Sequence, residues 1–352
     1  MSHKSFFIWT VSLILVILIA FTAMTVVIDP FFHYHAPLDK LEYPIDEQRY
    51  QNDGILRNFD YDSIIIGTSM TENFHATQWD NLFDAKTVKT SLSGSYLKES
   101  ADALDKAFSS NDGIKYVVRS FDFYSILAYK DEVSDFDYPT YLYDDNIFND
   151  VKYVLNKTVF FNRTVRVLSY TADGNKTQNF DDAYSWSNKF NYGKQHVLDR
   201  YERPEKSEVI YTNFDNEKQI IKENIEQNII RLALEHPETE FYLFYPPYSI
   251  VAWDRWNQIG SLTMNIEIMR YASSLLMGYD NIHLFSFNDD FDMICDLNNY
   301  KDLEHYGDWI NDEILENMKN GNGRLNSENI DAHFDSMIDF YSKYDYDAIF
   351  AE

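Results

Sequence analysis

The apolar positions of this chain fall into three patterns, and each predicts a different element. Residues 5–28 (SFFIWTVSLILVILIAFTAMTVVI) carry no charged side chain, and an apolar run of that length spans a bilayer as a helix. Short runs rich in β-branched and aromatic residues recur at 62–66, 88–92, 116–123, 240–245 and 282–287. Continuous apolar runs of this kind suit strands buried on both faces, as in a parallel sheet. Between the runs, apolar residues repeat every three or four positions. Leu97, Ala101, Leu104 and Phe108 share one helical face, and so do Ile221, Ile225, Ile229 and Leu232. Further helices are predicted over 262–276 and around Trp309, Ile310 and Ile314. Alternation of strand and helix predicts an α/β fold with a central, mostly parallel five-stranded sheet and right-handed crossovers.

Breaks in the pattern mark the organisation. Pro246 and Pro247 end the fourth strand, because proline has no N–H for the ladder. Residues 125–214 are rich in Tyr, Asn, Asp and Phe but have little periodicity and no strand signal. They read as an insertion, partly helical around 147–155, that either caps the sheet edge and carries specificity or is a structural appendage. Four segments follow from this: a cytoplasmic tip with a transmembrane anchor at 1–28, and a polar but aromatic connector at 29–60 that packs on the domain. The α/β domain occupies 61–325, and an acidic helical tail covers 326–352.

Composition narrows the function classes. A chain of 352 residues that is 45% hydrophobic can form one large domain, or one domain with a sizeable insertion. A formal net charge of -27 argues against nucleic acid, whose phosphates need clustered Lys and Arg. The single Cys295 leaves no internal disulfide and no thiolate metal cluster, and the nine His show no ligand spacing, so neither metal nor cofactor is expected. Lys4 before the apolar run and Asp29 after it favour an amino terminus inside the cell and the bulk of the chain outside. A cleaved signal peptide fits less well: the basic region is only His3-Lys4, and Phe21 stands two residues before Ala23. An extracytoplasmic domain without disulfides suits a bacterial envelope of Gram-positive style.

The candidate chemistry starts at the end of the first strand. Ile64-Ile65-Ile66 gives way to Gly67-Thr68-Ser69, where the backbone turns and two hydroxyls emerge at the carboxyl edge that binds ligands in open α/β sheets. Gly-Thr-Ser after a strand is also an ordinary turn or helix cap. A nucleophile needs a base, and Asp302 three residues before His305 supplies one whose imidazole a carboxylate orients.

The Gly-Thr-Ser turn and the D-x-x-H near the end of the domain resemble the first and fifth blocks of the SGNH/GDSL hydrolase superfamily. With IIIGTSMTENF, YPPYS and NNYKDLEHYGDWIN, the layout resembles a membrane-anchored branch, the teichoic acid D-alanylation protein and alginate O-acetyltransferase-like proteins. That resemblance implies a three-layer α/β sandwich behind one anchor, with Ser69 as nucleophile, His305 as base and Asp302 as its orienting carboxylate. It also implies an oxyanion hole from the Ser69 and Gly94 amides, and a multi-spanning membrane O-acyltransferase as partner. Two departures stand out. Thr68 occupies a position where these hydrolases have aspartate, and the third block's asparagine is missing, with Asp122 at the corresponding strand end. An anionic Asp122 there would repel developing negative charge. Thr68, Asp122 and Tyr248 are the candidate cleft residues, and Tyr245-Pro246-Pro247-Tyr248 and the aromatic insertion could exclude water. Three functions stay open: transfer of a D-alanyl or acetyl group to a cell-envelope glycopolymer or teichoic acid, ester hydrolysis by the same triad, and a scaffold role beside an acyltransferase.

Overall fold

A computed structural model describes residues 2–144 and 146–351. Its chain divides into two units: residues 61–135 with 180–352, and residues 1–60 with 136–179.

The first unit holds the sheet. Strands β1 (Ser63–Ile66), β2 (Thr87–Lys89), β3 (Tyr116–Ser120), β4 (Glu240–Tyr245) and β5 (Ile282–Ser286) are parallel, in the order β2-β1-β3-β4-β5. A two-residue strand, β6 (Arg324–Leu325), adds antiparallel to β5; it is too short to leave a hydrophobic pattern. Residues 64–66 are fully buried, as their unbroken apolar run requires. The third strand stops at Ser120, short of the expected 123, because Asp122 leads directly into the helical turn Phe123–Ile126.

Successive side chains of a strand point to opposite faces, and both faces of β4 are covered. Tyr242 packs against Trp79 (ring centroids 5.1 Å apart) and Phe244 against Phe74 (5.3 Å). On the other face Phe241 meets Phe108 (6.3 Å), and the Tyr245 hydroxyl donates to the Met269 carbonyl at 3.0 Å. Helices therefore lie on both sides, as the 3.6-residue spacings between the strands require. Residues 326–352, expected as an acidic helical tail, do hold a helix, Ile330–Lys343, and it packs into the core. Its Phe334, Met337 and Tyr341 are buried, and Tyr341 stacks on Trp253 at 3.9 Å.

The second unit is built on the amino-terminal helix His3–Ile28, which is long and apolar enough to cross a membrane. Connector 29–60 groups here with residues 136–179, so the expected 125–214 insertion is split between the two units. Asp29 ends the helix in a left-handed conformation (φ 46°) and is fully buried. Its carboxylate accepts the Tyr34 amide (2.6 Å), the His35 amide (3.1 Å) and the Tyr153 hydroxyl (2.7 Å). Three hydrogen bonds knit the connector to the insertion: the Glu42 carboxylate accepts the Thr177 amide, the Tyr43 amide donates to the Thr177 hydroxyl, and the Ile45 amide donates to the Gln178 side-chain oxygen. The helix Gln48–Asn58 crosses residues 31–32 so closely that a Cβ on Gly54 would lie 2.3 Å from the Phe31 carbonyl oxygen.

Candidate active site

In the sheet order β2-β1-β3-β4-β5 the direction of winding reverses between β1 and β3. The crevice outside the carboxyl ends of those strands is where doubly wound folds bind ligands. The Gly67-Thr68-Ser69 turn leaves β1 at that point, and Asp122 leaves β3 beside it.

Gly67 makes the turn possible. Its φ of +144° is rarely adopted by residues with a Cβ, and a Cβ would lie 2.3 Å from the Ser120 hydroxyl. Thr68 follows as the cap of the short 3-10 helix Ser69–Thr71, its hydroxyl accepting the Met70 amide at 3.3 Å. The same hydroxyl donates to Asp122 at 2.9 Å, and the Ser120 hydroxyl donates to the other Asp122 oxygen at 2.6 Å while accepting the Thr68 amide at 3.2 Å. Two strand ends are thus pinned together behind Ser69. Burial pushes the Asp122 carboxyl up, against the hydrogen bonds from Ser120 and Thr68. Asp122 therefore sits as the acceptor of a hydroxyl network that braces the serine turn.

His305 comes from a loop 236 positions later in the chain, and its Nε2 lies 2.8 Å from the Ser69 Oγ. The Asp302 carboxylate holds the opposite ring nitrogen, Nδ1, with both oxygens at 3.0 Å. With a carboxylate at Nδ1, the proton belongs there, and Nε2 is left as acceptor for the serine hydroxyl. Asp302 also accepts the amides of Glu304 (3.0 Å) and His305 (2.9 Å), which folds D-x-x-H into a turn that sets the imidazole's position. Burial pushes the Asp302 carboxyl up, but the bonds from the imidazole and the two amides outweigh it and hold the group at about 2. The carboxylate is consequently ionised at any working pH.

Gly94 lies in the turn after β2 with φ +67° and is exposed. The Leu92 amide donates to the Gly67 carbonyl at 2.7 Å, and the Thr71 hydroxyl donates to Ser91 at 2.7 Å, so this turn leaves the sheet beside the serine turn. Among the described residues, the Ser69 and Gly94 amides donate to no protein acceptor. Two N–H groups at one sheet edge, beside a serine–histidine contact, suit an oxyanion.

Tyr248, expected in the cleft, is only 5% exposed. Its hydroxyl feels the charges of Asp122 and Glu304, and its segment supports the histidine loop. The Ser249 amide and hydroxyl donate to the Leu303 carbonyl (3.1 and 2.8 Å), and Tyr300 donates to the Pro247 carbonyl (2.9 Å). Sequence reasoning missed Trp186, whose ring meets His305 edge to face at 5.5 Å, and Lys301, whose Nζ lies 3.5 Å over the Trp186 ring. Asn73, just past the serine turn, accepts the Trp186 and Ser187 amides at 3.0 and 3.1 Å, which carries this tryptophan to the site. A tryptophan in an aperiodic segment left no signal of that role. Among the described residues no cluster of His, Cys, Asp and Glu has metal-binding geometry.

No family model, curated protein or solved structure matches this chain.

Proposed function

We propose that this chain is a membrane-anchored serine acyltransferase of the cell envelope, passing an acyl group such as D-alanyl or acetyl to a hydroxyl of a glycopolymer or teichoic acid. The observation that carries the reading is the linear array Ser69 Oγ, His305 Nε2, His305 Nδ1 and Asp302, with contacts of 2.8 and 3.0 Å. The resemblance of the Gly-Thr-Ser and D-x-x-H motifs to the SGNH/GDSL superfamily supports it. So does a helix able to cross a membrane ahead of the catalytic unit, which suits acyl donors handed over by a multi-spanning O-acyltransferase and acceptors fixed in the envelope.

In the first half-reaction Ser69 Oγ attacks the carbonyl carbon of an acyl ester while His305 Nε2 takes its proton. The oxyanion that forms is met by the Ser69 and Gly94 amides. Collapse breaks the bond to the donor oxygen, which leaves with the proton from His305, and the acyl group remains on Ser69. In the second half-reaction His305 deprotonates the acceptor hydroxyl, whose oxygen attacks the acyl-serine. The new ester departs as Ser69 regains its proton. Asp302 stabilises the imidazolium at both stages and does not itself take the proton. Water in place of the acceptor would make the enzyme an esterase with the same residues.

A fluorophosphonate probe on the solubilised protein tests the serine. Labelling of the wild type and none of Ser69→Ala is expected; equal labelling of both, or none of the wild type, would favour a scaffold role instead. A donor ester offered with a polyol acceptor then separates transfer, with acyl on the polyol, from hydrolysis, with free acid.

A further inference from the structure

The amino-terminal helix does not stand clear of its unit along its whole apolar length. A hydrocarbon core of about 30 Å takes roughly 20 helical residues at 1.5 Å each. Counted from Ser5, the first residue after Lys4, that span reaches about residue 24. One face of the helix is covered before that point, however, while Met24 and Val27 stay exposed. Phe21 stacks on Phe160 with ring centroids 4.1 Å apart and meets the edge of Phe161 at 6.1 Å, and Thr25 is buried against Thr164. The last turn of the membrane-length span is thus packed side by side with residues 160–164. Whatever surrounds Phe21 and Met24 also surrounds those neighbours.

The neighbouring segment is unlike an ordinary water-facing surface. Tyr153, Val159, Phe160 and Val167 are buried within the unit, yet a second apolar set points outward. Phe148 is 86% exposed and Phe161 58%, with Ile147, Val151 and Leu155 exposed as well. Isolated exposed apolar residues are normal, but a run of them beside a lipid-length helix is a patch that calls for an occupant. The charge is also distinctive. In a chain of net charge -27, residues 146–172 carry four basic side chains and the single acidic Asp150. Arg163 and Arg166 pair with Glu47 and Asp46, while Lys152 and Lys157 are exposed next to the apolar set. Apolar side chains interleaved with exposed lysines are the composition of segments that lie in a bilayer interface, where the lysines meet lipid phosphates.

We infer that residues 146–168 form an interfacial collar around the carboxyl-terminal end of the amino-terminal helix. Phe148, Leu155 and Phe161 insert at the boundary of headgroups and acyl chains, and Lys152 and Lys157 contact anionic headgroups. The occupant of the patch is lipid. Continuity with the lipid-facing surface of the helix and complementarity to anionic headgroups both select it over a protein partner. The inference rests on the reading of that helix as a membrane span and is independent of the chemistry at Ser69.

The test uses full-length protein with Cys295→Ser, carrying one new cysteine at a time (Ile14→Cys, Phe148→Cys, Phe161→Cys or Ile210→Cys) with a nitroxide. Each is reconstituted alone into vesicles of phosphatidylglycerol and phosphatidylcholine. Collision with oxygen, which concentrates in lipid, is compared with collision with a water-soluble nickel chelate. Labels at 14, 148 and 161 are expected to favour oxygen, those at 148 and 161 lying shallower than 14. The label at 210, an apolar position 72% exposed in the sheet unit, is expected to favour nickel. If 14 is lipid-exposed while 148 and 161 favour nickel, the collar faces water and the inference falls. Shielding of 148 and 161 from both reagents would mean contact with a second copy and would equally overturn it. Nickel access at 14 would remove the membrane span and the collar together.

Discussion

Asp29 and Asp302 hold nearly the same hydrogen bonds and end with opposite character. Each lies just before a turn and accepts two backbone amides from the residues that follow, plus one ring-bearing side chain: the Tyr153 hydroxyl for Asp29, the His305 imidazole for Asp302. Asp29 is sealed inside its unit, and burial raises its carboxyl against those same bonds. Asp302 sits on a part-exposed loop, where the bonds prevail and hold it at about 2. Hydrogen bonds alone therefore do not decide what a capped carboxylate does. Access to solvent and the nature of the third donor do: the phenol completes a structural clamp, and the imidazole is held in one orientation toward Ser69.

The sharpest way to break the comparison is to neutralise the carboxylate without changing its shape. Asp302→Asn is expected to lower kcat on the order of 10⁴-fold, because the amide favours the wrong imidazole tautomer, with only a modest fall in melting temperature near neutral pH from loss of the carboxylate's own contribution. Steady-state kinetics with a donor ester measures it. At Asp29 the effect should move to the other observable. Asp29→Ala leaves two amides and a buried hydroxyl without their acceptor and is expected to cost about 3 kcal/mol of stability. The rate of fluorophosphonate labelling of the folded fraction should stay unchanged.

The two aspartates should also tilt stability against pH in opposite directions. Asp302, lowered when folded, contributes stability that is complete above the unfolded value of about 4 and is lost as pH falls towards about 2. Asp29, raised when folded, binds its proton more tightly in the native state. Its contribution is complete below about 4 and declines as pH rises through the raised value. Denaturant unfolding followed across pH 2 to 7 (the ~4 reference value bracketed on each side) should show the acid-side loss reduced in Asp302→Asn and the decline on raising the pH reduced in Asp29→Asn. The smallest expected change is at Trp186. Trp186→Ala removes an edge contact on His305 and should slow labelling by about 2- to 10-fold, the worth of one aromatic pair, with the labelled residue unchanged.

Features with a local cause could be read from the chain. The apolar run of the first helix, the five strands and the helices of period 3.6 each rest on contacts their own residues announce. Ser69 and His305, 236 positions apart, are legible because each sits in a locally marked turn, a glycine after a buried strand and a carboxylate three residues before an imidazole. What escaped was set by tertiary contacts without periodicity. Ser120 supports Thr68 only because β1 and β3 are neighbours, and Trp186 meets His305 with its amide held by Asn73 and its ring covered by Lys301. The grouping of residues 136–179 with the connector rests on side chains such as Thr177 and Gln178 bonding to backbone amides. Asp122 was expected to repel an oxyanion, whereas its oxygens accept the Thr68 and Ser120 hydroxyls and brace the turn.

The central claim is that Ser69 carries the acyl group. Rapid quenching after mixing with p-nitrophenyl acetate, followed by mass spectrometry of the proteolysed chain, measures this directly. The account predicts an acetyl adduct on the peptide containing Ser69, formed within the first turnover, absent from Ser69→Ala, and discharged when a polyol acceptor is added. Turnover without an adduct, or an adduct on another residue that persists in Ser69→Ala, would contradict it.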